Sequence, residues 1–315
     1  MKPIVAAQTM RLIEVTLEAD QGAKYRGLLK ELLPLAEDAY RTEEEAFRSH
    51  LGASLIGREC ERELWYSFHW VTRAHFPGRI TRLFNRGHLE EPRIVALLKM
   101  IGCEVWQFDD KGKQFRIQGY KGHYGGGMDG VVRGIPEYTD VNMLAEFKTH
   151  NDKSFAKVKS DGVRASKFEH YVQMNQYMGY NQLTMAIYIA VNKNDDELYA
   201  ELVPFDVHNY NSFLKRAADI VDSDDPPPRI SESPGFFKCK FCNQRAVCQI
   251  GMSPDRNCRT CKWSKPIDNG EWVCQNWNMI AEAEMQGWED PIILNKEAQL
   301  KACNHYEKHP SLEPR

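Results

Sequence analysis

The apolar pattern changes character along the chain. From residue 8 to about 50, Leu, Ala and Glu recur at helical spacing, which predicts helices. A second helix is expected from Ser54 to Arg73, with Ser54 as its N-cap after Gly52. A third, "LEEPRIVALLKMIG", ends near Gly102. The period then shortens. "EVWQF", "FRIQGY", "MDGVVRG" and "NMLAEFKT" alternate over short runs broken by Gly, Pro and Asp, which predicts a meander of strands. "KFEHYVQMNQYMGYNQ" returns to helical spacing, "TMAIYIAV" and "ELYAELVPF" read as strands, and a last helix covers about Val207 to Val221. "DSDDPPPRISESPG" is a turn-rich linker to a cysteine-rich tail, and no internal repeat is found. The expected fold is α/β, a central mixed sheet flanked by helices with a small metal-binding appendage.

Composition narrows the function. The chain has 315 residues, 42% hydrophobic, enough for one large domain and a small one. A net charge of −3 excludes a basic coat, so nucleic-acid binding would rest on a local patch. No apolar run reaches membrane-spanning length, and "MKPIVAAQTMRLIEV" lacks a signal-peptide core. A cytoplasmic location and no membrane partner are expected. There, nine cysteines point to metal rather than disulfides.

The stretch "MLAEFKTHND" holds the first candidate chemistry. Glu146 and Lys148 project to one face of a strand while Phe147 points to the other. An acid and a lysine so placed can form a plain ion pair, a metal site with a charged helper, or a carboxylate-tuned base. Upstream, "HYGGGMDGVVRG" sets Asp129 among glycines that permit close approach. Asp129, Glu146 and the backbone carbonyl of Phe147 together make a hard oxygen site suited to Mg²⁺ or Mn²⁺. Lys148 beside the cation can orient an attacking water or stabilise developing charge.

Asp129-Gly followed by Glu146-Phe-Lys148 resembles the core of PD-(D/E)xK nucleases. Gln173 and Tyr177 in "EHYVQMNQYMGY" form a Q-x3-Y pair on one helix face, similar to the RecB-type and lambda-exonuclease-like branch. Gln176 and Tyr180 offer a second register. The first is preferred because His170, Gln173 and Tyr177 follow the family's usual run more closely. "RLFNRGHLEE" resembles that branch's first motif, which implies His88 as a further metal ligand with Glu91 nearby. The family's proline is absent, with Met128 before Asp129. The resemblance covers about residues 54 to 250. It implies a restriction-endonuclease-like core and a metal-dependent DNA exonuclease of recombination, repair or replication. In that reading His88, Asp129 and Glu146 are ligands, Lys148 partners the water, and Gln173 and Tyr177 are positioning groups. A structure-specific or nicking endonuclease of the same fold, and a non-catalytic zinc-bearing DNA-binding subunit, are the alternatives.

Lys153, Lys157, Lys159, Arg164 and Lys167 crowd the segment after Lys148, and Arg79, Arg82 and Arg86 lie near His88. Beside a nuclease site they read as a phosphate-binding rim without sequence specificity, with Phe155 and Phe168 as candidate base-stacking groups. DNA ends are the expected partner, a single-strand-annealing or recombination protein a candidate second one. A monomer is expected, and the compact architecture suits a phage-encoded enzyme working in its host's cytoplasm.

"CKFCNQRAVC" supplies Cys239, Cys242 and Cys248, one ligand short of a closed site, and Cys60 lies far upstream. One early cysteine with a late C-x2-C-x5-C resembles the iron–sulfur nucleases: AddB-type helicase-nucleases, CRISPR-associated RecB-like nucleases and exonuclease V. The resemblance implies a structural 4Fe–4S cluster that clips the ends of the domain, with zinc in the same thiolates as the competing metal. Farther on, Cys258, Cys261 and Cys274, completed by Cys303 or by His305, read as a small zinc site with Trp263, Trp272 and Trp277 around it. Cys103 is left as a buried thiol. The expected division is a helical segment 1–53, a nuclease domain 54–250 and a zinc-binding tail 251–315.

Overall fold

Along "MLAEFKTH", Met143, Ala145 and Phe147 enter the main apolar cluster, while Leu144, Glu146 and Lys148 face the other way. This alternation positions the whole candidate site. The computed structural model describes residues 2–37, 47–285 and 292–313. They form two compact units: residues 1–44, 76–117 and 126–211, and residues 45–75, 118–125 and 212–315. The units cut across the expected divisions after residues 53 and 250.

The first unit is built on a mixed sheet. Its strands are β1 (Ile4–Val5), β2 (Glu104–Trp106), β3 (Gly130–Arg133), β4 (Met143–His150), β5 (Met185–Asn192) and β6 (Leu198–Pro204). They lie in the order β1-β6-β5-β4-β3-β2. All neighbours are antiparallel except β4 and β5, which run parallel from Leu144 opposite Ala186 to His150 opposite Asn192. That parallel pair requires a crossover, supplied by α4 (Asp152–Ser166) and α5 (Phe168–Tyr180). On the opposite face α1 (Ala7–Asp20), α2 (Ala23–Glu37) and α3 (Gly78–Met100) close the core, α3 through Ile94, Val95 and Leu98. Among the described residues no helix is long and apolar enough to cross a membrane.

Several expected boundaries move. The helical run from residue 8 breaks at Gln21 and Gly22, both at positive φ, and residues 38–46 lie outside the described residues. Ser54 sits in a turn; the helix there is only Glu61–Phe68, with Cys60 at its N-cap. α3 begins eleven residues before Leu89 and runs through Pro92, so His88 is mid-helix. Strand Arg116–Gly119 joins a separate small sheet, not the main one. The basic segment after Lys148 is helix α4. Asn151 Oδ1 caps it by accepting the Ser154 N–H at 2.9 Å, and Phe155, Val158 and Val163 form its buried stripe. Phe155 is therefore core and cannot stack on a base, while Phe168 is exposed.

Gly162 interrupts α4 at φ +76. A Cβ there would lie 2.9 Å from the Pro3 side chain and 3.2 Å from Glu201 Oε1. Glu201 uses its other oxygen to accept the Val163 N–H at 2.8 Å, capping the second half of the helix. Gly162→Ala is expected to lower stability by about 1–3 kcal/mol, from positive φ and crowding together. Urea unfolding reads this directly; an unchanged midpoint would show that the kink is dispensable.

The second unit is organised around a buried cation. Arg259 is 3% exposed, with its guanidinium 3.9 Å from the Trp70 ring centre and 4.5 Å from that of Trp272. Its N–H groups donate to Gln299 Oε1 and to the carbonyls of Phe68 and Ser49. Asn257 Nδ2 donates to the Trp70 carbonyl at 2.9 Å, and His123 Nε2 lies 2.7 Å from the Ile267 carbonyl. The cysteine-rich tail is thus continuous with residues 45–75 and 118–125, because its own short strands, Ser264–Pro266, Trp272–Cys274 and Ile292–Ile293, cannot bury a core alone. Trp272 serves this aromatic box rather than the tail cysteines, and Trp277 is exposed.

Candidate active site

Pairing of β3 with β4 stops at Gly130 opposite Ala145, although β4 continues to His150 along β5. Beyond Ala145 one edge of β4 lies open. Asp129 turns into that opening, and its Oδ2 accepts the Phe147 N–H at 2.8 Å. The N–H and C=O of one strand residue point to the same edge, so the Phe147 carbonyl faces the Asp129 side, while its ring stays in the core.

Glu146 is fully buried. Lys148 Nζ donates to its Oε1 and stands 4.0 Å from Asp129 Oδ2. Glu146 Oε2 has no hydrogen-bond partner. A lone carboxylate oxygen at such depth is costly. Burial raises the Glu146 pKa; Lys148 works against the rise and Asp129 adds to it. Burial also disfavours the Lys148 charge, yet Glu146 and Asp129 outweigh it and hold the ammonium protonated. Glu91, half-buried on α3, is raised by burial and by the charges of Asp129 and Glu146. Three carboxylates therefore share one ammonium. His88 is at the rim, exposed, with Nδ1 4.0 Å from Glu91 Oε1.

α5 supplies the opposite wall. Tyr177 is buried, and Gln173 Nε2 lies 3.5 Å from its hydroxyl. Burial first, then the charges of Glu146 and Asp129, raise the Tyr177 pKa. Gly126 makes room: a Cβ there would meet the Tyr177 hydroxyl at 2.6 Å. The alternative register turns away, since Gln176 Nε2 donates to the Tyr210 carbonyl at 3.1 Å.

A hydrogen-bonded row beside the site escaped the sequence reading. His150 Nε2 lies 2.7 Å from the Tyr188 hydroxyl, and His170 Nδ1 lies 3.1 Å from the same oxygen. Ser154 Oγ is 3.1 Å from His150 Nδ1. Burial pushes His150 down to about 4, with Lys167, Lys193 and Lys148 adding, so the imidazole is neutral at ordinary pH. The signal was present: Glu146, Lys148 and His150 continue one period-two face, and Tyr188 is the register partner of Glu146.

Of the basic residues, Lys153 and Lys157 are exposed four apart on α4, and Lys167 is half-buried. Burial and the neighbouring Lys157 lower the Lys167 pKa. Lys159 pairs with Glu197, Arg164 lies 3.6 Å from Asp206, and Arg86 donates to the Lys193 carbonyl.

In the second unit all of the cysteines are free thiols, as is Cys103 in the first. Burial pushes Cys242 up to about 12, with charge on Glu63, Cys60 and Cys248 contributing. Cys239 is raised by burial and by Cys60 and Cys248. Cys60 and Cys248 are thus within electrostatic reach of both Cys239 and Cys242. N–H groups point at them as well: Gln244 N–H at 3.4 Å from Cys242 Sγ and Gln249 Nε2 at 3.7 Å from Cys239 Sγ. Cys258, Cys261, Cys274, Cys303 and His305 line one cavity of about 20 Å³, with Trp263 on its wall. Burial, then Cys303, Cys261 and Cys274, push Cys258 up to about 12. His305 Nε2 also lies 3.2 Å from Glu282 Oε1.

The donor types are those such groups use, oxygens around a carboxylate with one unpartnered oxygen in one unit and thiols in the other. Among the described residues, however, no three His, Cys, Asp or Glu side chains are drawn into coordinating geometry.

No protein-family profile matches the chain, and no curated protein matches it significantly. Among solved structures, the chain is similar to an alkaline exonuclease, LHK-Exo, from Laribacter hongkongensis, at 15% identity and a TM-score of 0.41 over 55% of this chain and 86% of that one. LHK-Exo in complex with dAMP gives 16% identity and a TM-score of 0.41, with the same coverage. SSO0001 gives 18% identity and a TM-score of 0.37 over 74% of this chain and 99% of that one.

Proposed function

We propose that the first unit is a divalent-metal-dependent phosphodiesterase site and that the chain is a DNA exonuclease of the PD-(D/E)xK type. The observation that carries this reading is the buried Glu146 carboxylate with one unpartnered oxygen, set among Asp129, Glu91 and a single ammonium. Negative charge at that depth calls for a cation. Glu146, Asp129 and the Phe147 carbonyl would hold Mg²⁺ or Mn²⁺, with Glu91 and His88 on the α3 side. The ion would supply Lewis acidity toward a phosphate oxygen and a more acidic water.

The chain's own groups do the rest. Lys148 holds a positive charge beside the reacting phosphate and donates to the oxygen that attacks or to the charge that develops. Gln173 and Tyr177 fix the far wall. Tyr188, held between His150 and His170, keeps the strand's polar face in one arrangement. Lys153, Lys157 and Lys167, with Arg86, Lys159 and Arg164 beside them, would grip the phosphate backbone without reading sequence. In the second unit we assign Cys60, Cys239, Cys242 and Cys248 to a 4Fe–4S cluster, and Cys258, Cys261, Cys274 and Cys303 to zinc.

Linear and covalently closed circular duplex DNA distinguish the readings. With Mg²⁺ or Mn²⁺ the protein is expected to degrade linear DNA and to leave closed circles intact. Cleavage of circles would make it an endonuclease. Failure to cut single- or double-stranded DNA of either form would leave a DNA-binding module.

A further inference from the structure

The buried side chains of α3 all lie from Pro92 onward. Its first three turns, residues 78–88, bury none, and a short helix without packing is marginal in water. This arm nevertheless holds two large apolar groups in the open. Phe84 is 47% exposed, and Phe76, just before the helix, is 43% exposed. Their ring centres lie 5.1 Å apart with the planes at 84°, an edge-to-face pair. Such a contact occupies at most one face of each ring. Phe76 therefore steadies Phe84 and leaves it a face to offer.

Helix geometry sets where Phe84 stands. Phe84, His88 and Glu91 are spaced i, i+4, i+7 and fall on one stripe. Glu91 ends that stripe at the candidate active site, half-buried within electrostatic reach of Asp129 and Glu146, with His88 Nδ1 4.0 Å from its Oε1. The seven-residue step at 1.5 Å each sets Phe84 about 10 Å from Glu91 along the helix. That is about three stacked nucleotides at 3.4 Å.

Charge decides the occupant. From Phe76 to Leu89 the sequence holds three arginines and no acid, in a chain of net charge −3. Arg79 and Arg82 are exposed, without a hydrogen bond or ion pair among the described residues. Arg86 donates to the Lys193 carbonyl. A second copy of the chain laid on this arm would set the same arginines against one another. A single strand of DNA brings phosphates to the arginines, and each of its bases has a π face for the ring.

We infer that Phe84, backed by Phe76, is a base-stacking platform for single-stranded DNA, holding a base about three nucleotides from the phosphate to be cut. The inference rests on the nuclease reading above for the direction of the strand; the stacking itself needs no metal.

Fluorescence anisotropy of the full-length protein with dye-labelled oligothymidylate, without added divalent cation, tests it. Phe84→Ala is expected to bind about fivefold or more weakly, as for the loss of one base stack. Phe84→Trp is expected to restore binding, and Phe76→Ala to weaken it less than Phe84→Ala does. A strand of the same length made of abasic residues is expected to bind wild type and Phe84→Ala equally. With Mg²⁺ added, Phe84→Ala is expected to raise the KM for linear DNA more than it lowers kcat. A strand that binds through Phe84 but is never cut keeps the platform and overturns the nuclease reading. Cleavage with equal binding by wild type and Phe84→Ala does the reverse. Should Phe84→Ala prove unfolded by circular dichroism, the wild type's preference for thymidylate over the abasic strand decides. No binding of oligothymidylate, equal binding of both strands by the wild type, or a dimer that Phe84→Ala dissociates with DNA binding unchanged overturns the inference.

Discussion

Lys148→Ala and Glu146→Gln each lower the rate of linear DNA cleavage by about a thousandfold, the scale expected when a preorganised charge is removed from a buried reaction centre. Their stabilities move in opposite directions. Lys148→Ala leaves Glu146 and Asp129 facing each other without an ammonium, so the metal-free protein melts lower. Glu146→Gln removes a buried charge with an orphaned oxygen, so the metal-free protein melts at the same temperature or higher. Linkage supplies a second readout. Burial raises the Glu146 pKa in the fold, so the folded state favours the protonated acid. Its contribution to stability is present below the ordinary carboxylate range and is lost as pH rises through the folded pKa. A cation that binds the ionised form offsets that loss. Mg²⁺ is therefore expected to raise the melting temperature more at pH 8 than at pH 5, and to do so weakly in Glu146→Gln. A full cleavage rate in Lys148→Ala, or a Mg²⁺ shift that is the same in wild type and Glu146→Gln, would remove these residues from the proposed chemistry.

The site was legible where its residues obey a strict local period. Glu146 and Lys148 had to share a face because a strand alternates, and Gln173 and Tyr177 because a helix turns in 3.6 residues. What could not be read was depth. Nothing in "AEFKT" says that Glu146 is fully buried while Lys148 reaches solvent, since burial depends on what α5 and β5 lay over the strand. Glu91 and His88 show the same limit. Three residues apart on one helix, they were readable as neighbours, but only the packing of α3 makes Glu91 half-buried and leaves His88 exposed. The helix after Lys148 was overlooked because charge dominates it; the capping Asn151 and the apolar residues at 155, 158 and 163 were the available signal. The grouping of the tail with residues 45–75 had no local signal at all. It rests on Arg259 hydrogen-bonding the carbonyls of Phe68 and Ser49, 191 and 210 residues away.

That long-range closure gives the second large effect. Cys60 and Cys239 enclose a loop long enough that fastening it removes on the order of 5 kcal/mol of unfolded-chain entropy. A domain stable by about 5–15 kcal/mol cannot lose that much without consequence. Cys60→Ser and Cys242→Ser, purified anaerobically, are expected to lack broad absorbance near about 400 nm, where iron–sulfur clusters absorb by general chemistry, and to unfold at markedly lower urea. Trypsin is expected to cut them faster after Arg229, which is half-buried in the segment 223–236 that has neither helix nor strand. Cys103→Ser is the control: Cys103 sits in the other unit, its thiol donating to the Gly134 carbonyl at 3.3 Å, and its loss leaves the absorbance intact. Zinc in the same four thiolates predicts the same stability loss from a colourless protein, so metal analysis of the wild type separates the two. Iron and acid-labile sulfide in equal amounts support the cluster; a second zinc beyond that of the tail, with no absorbance, assigns the thiolates to zinc; and unchanged urea midpoints in both variants would leave the cysteines as ordinary packing residues.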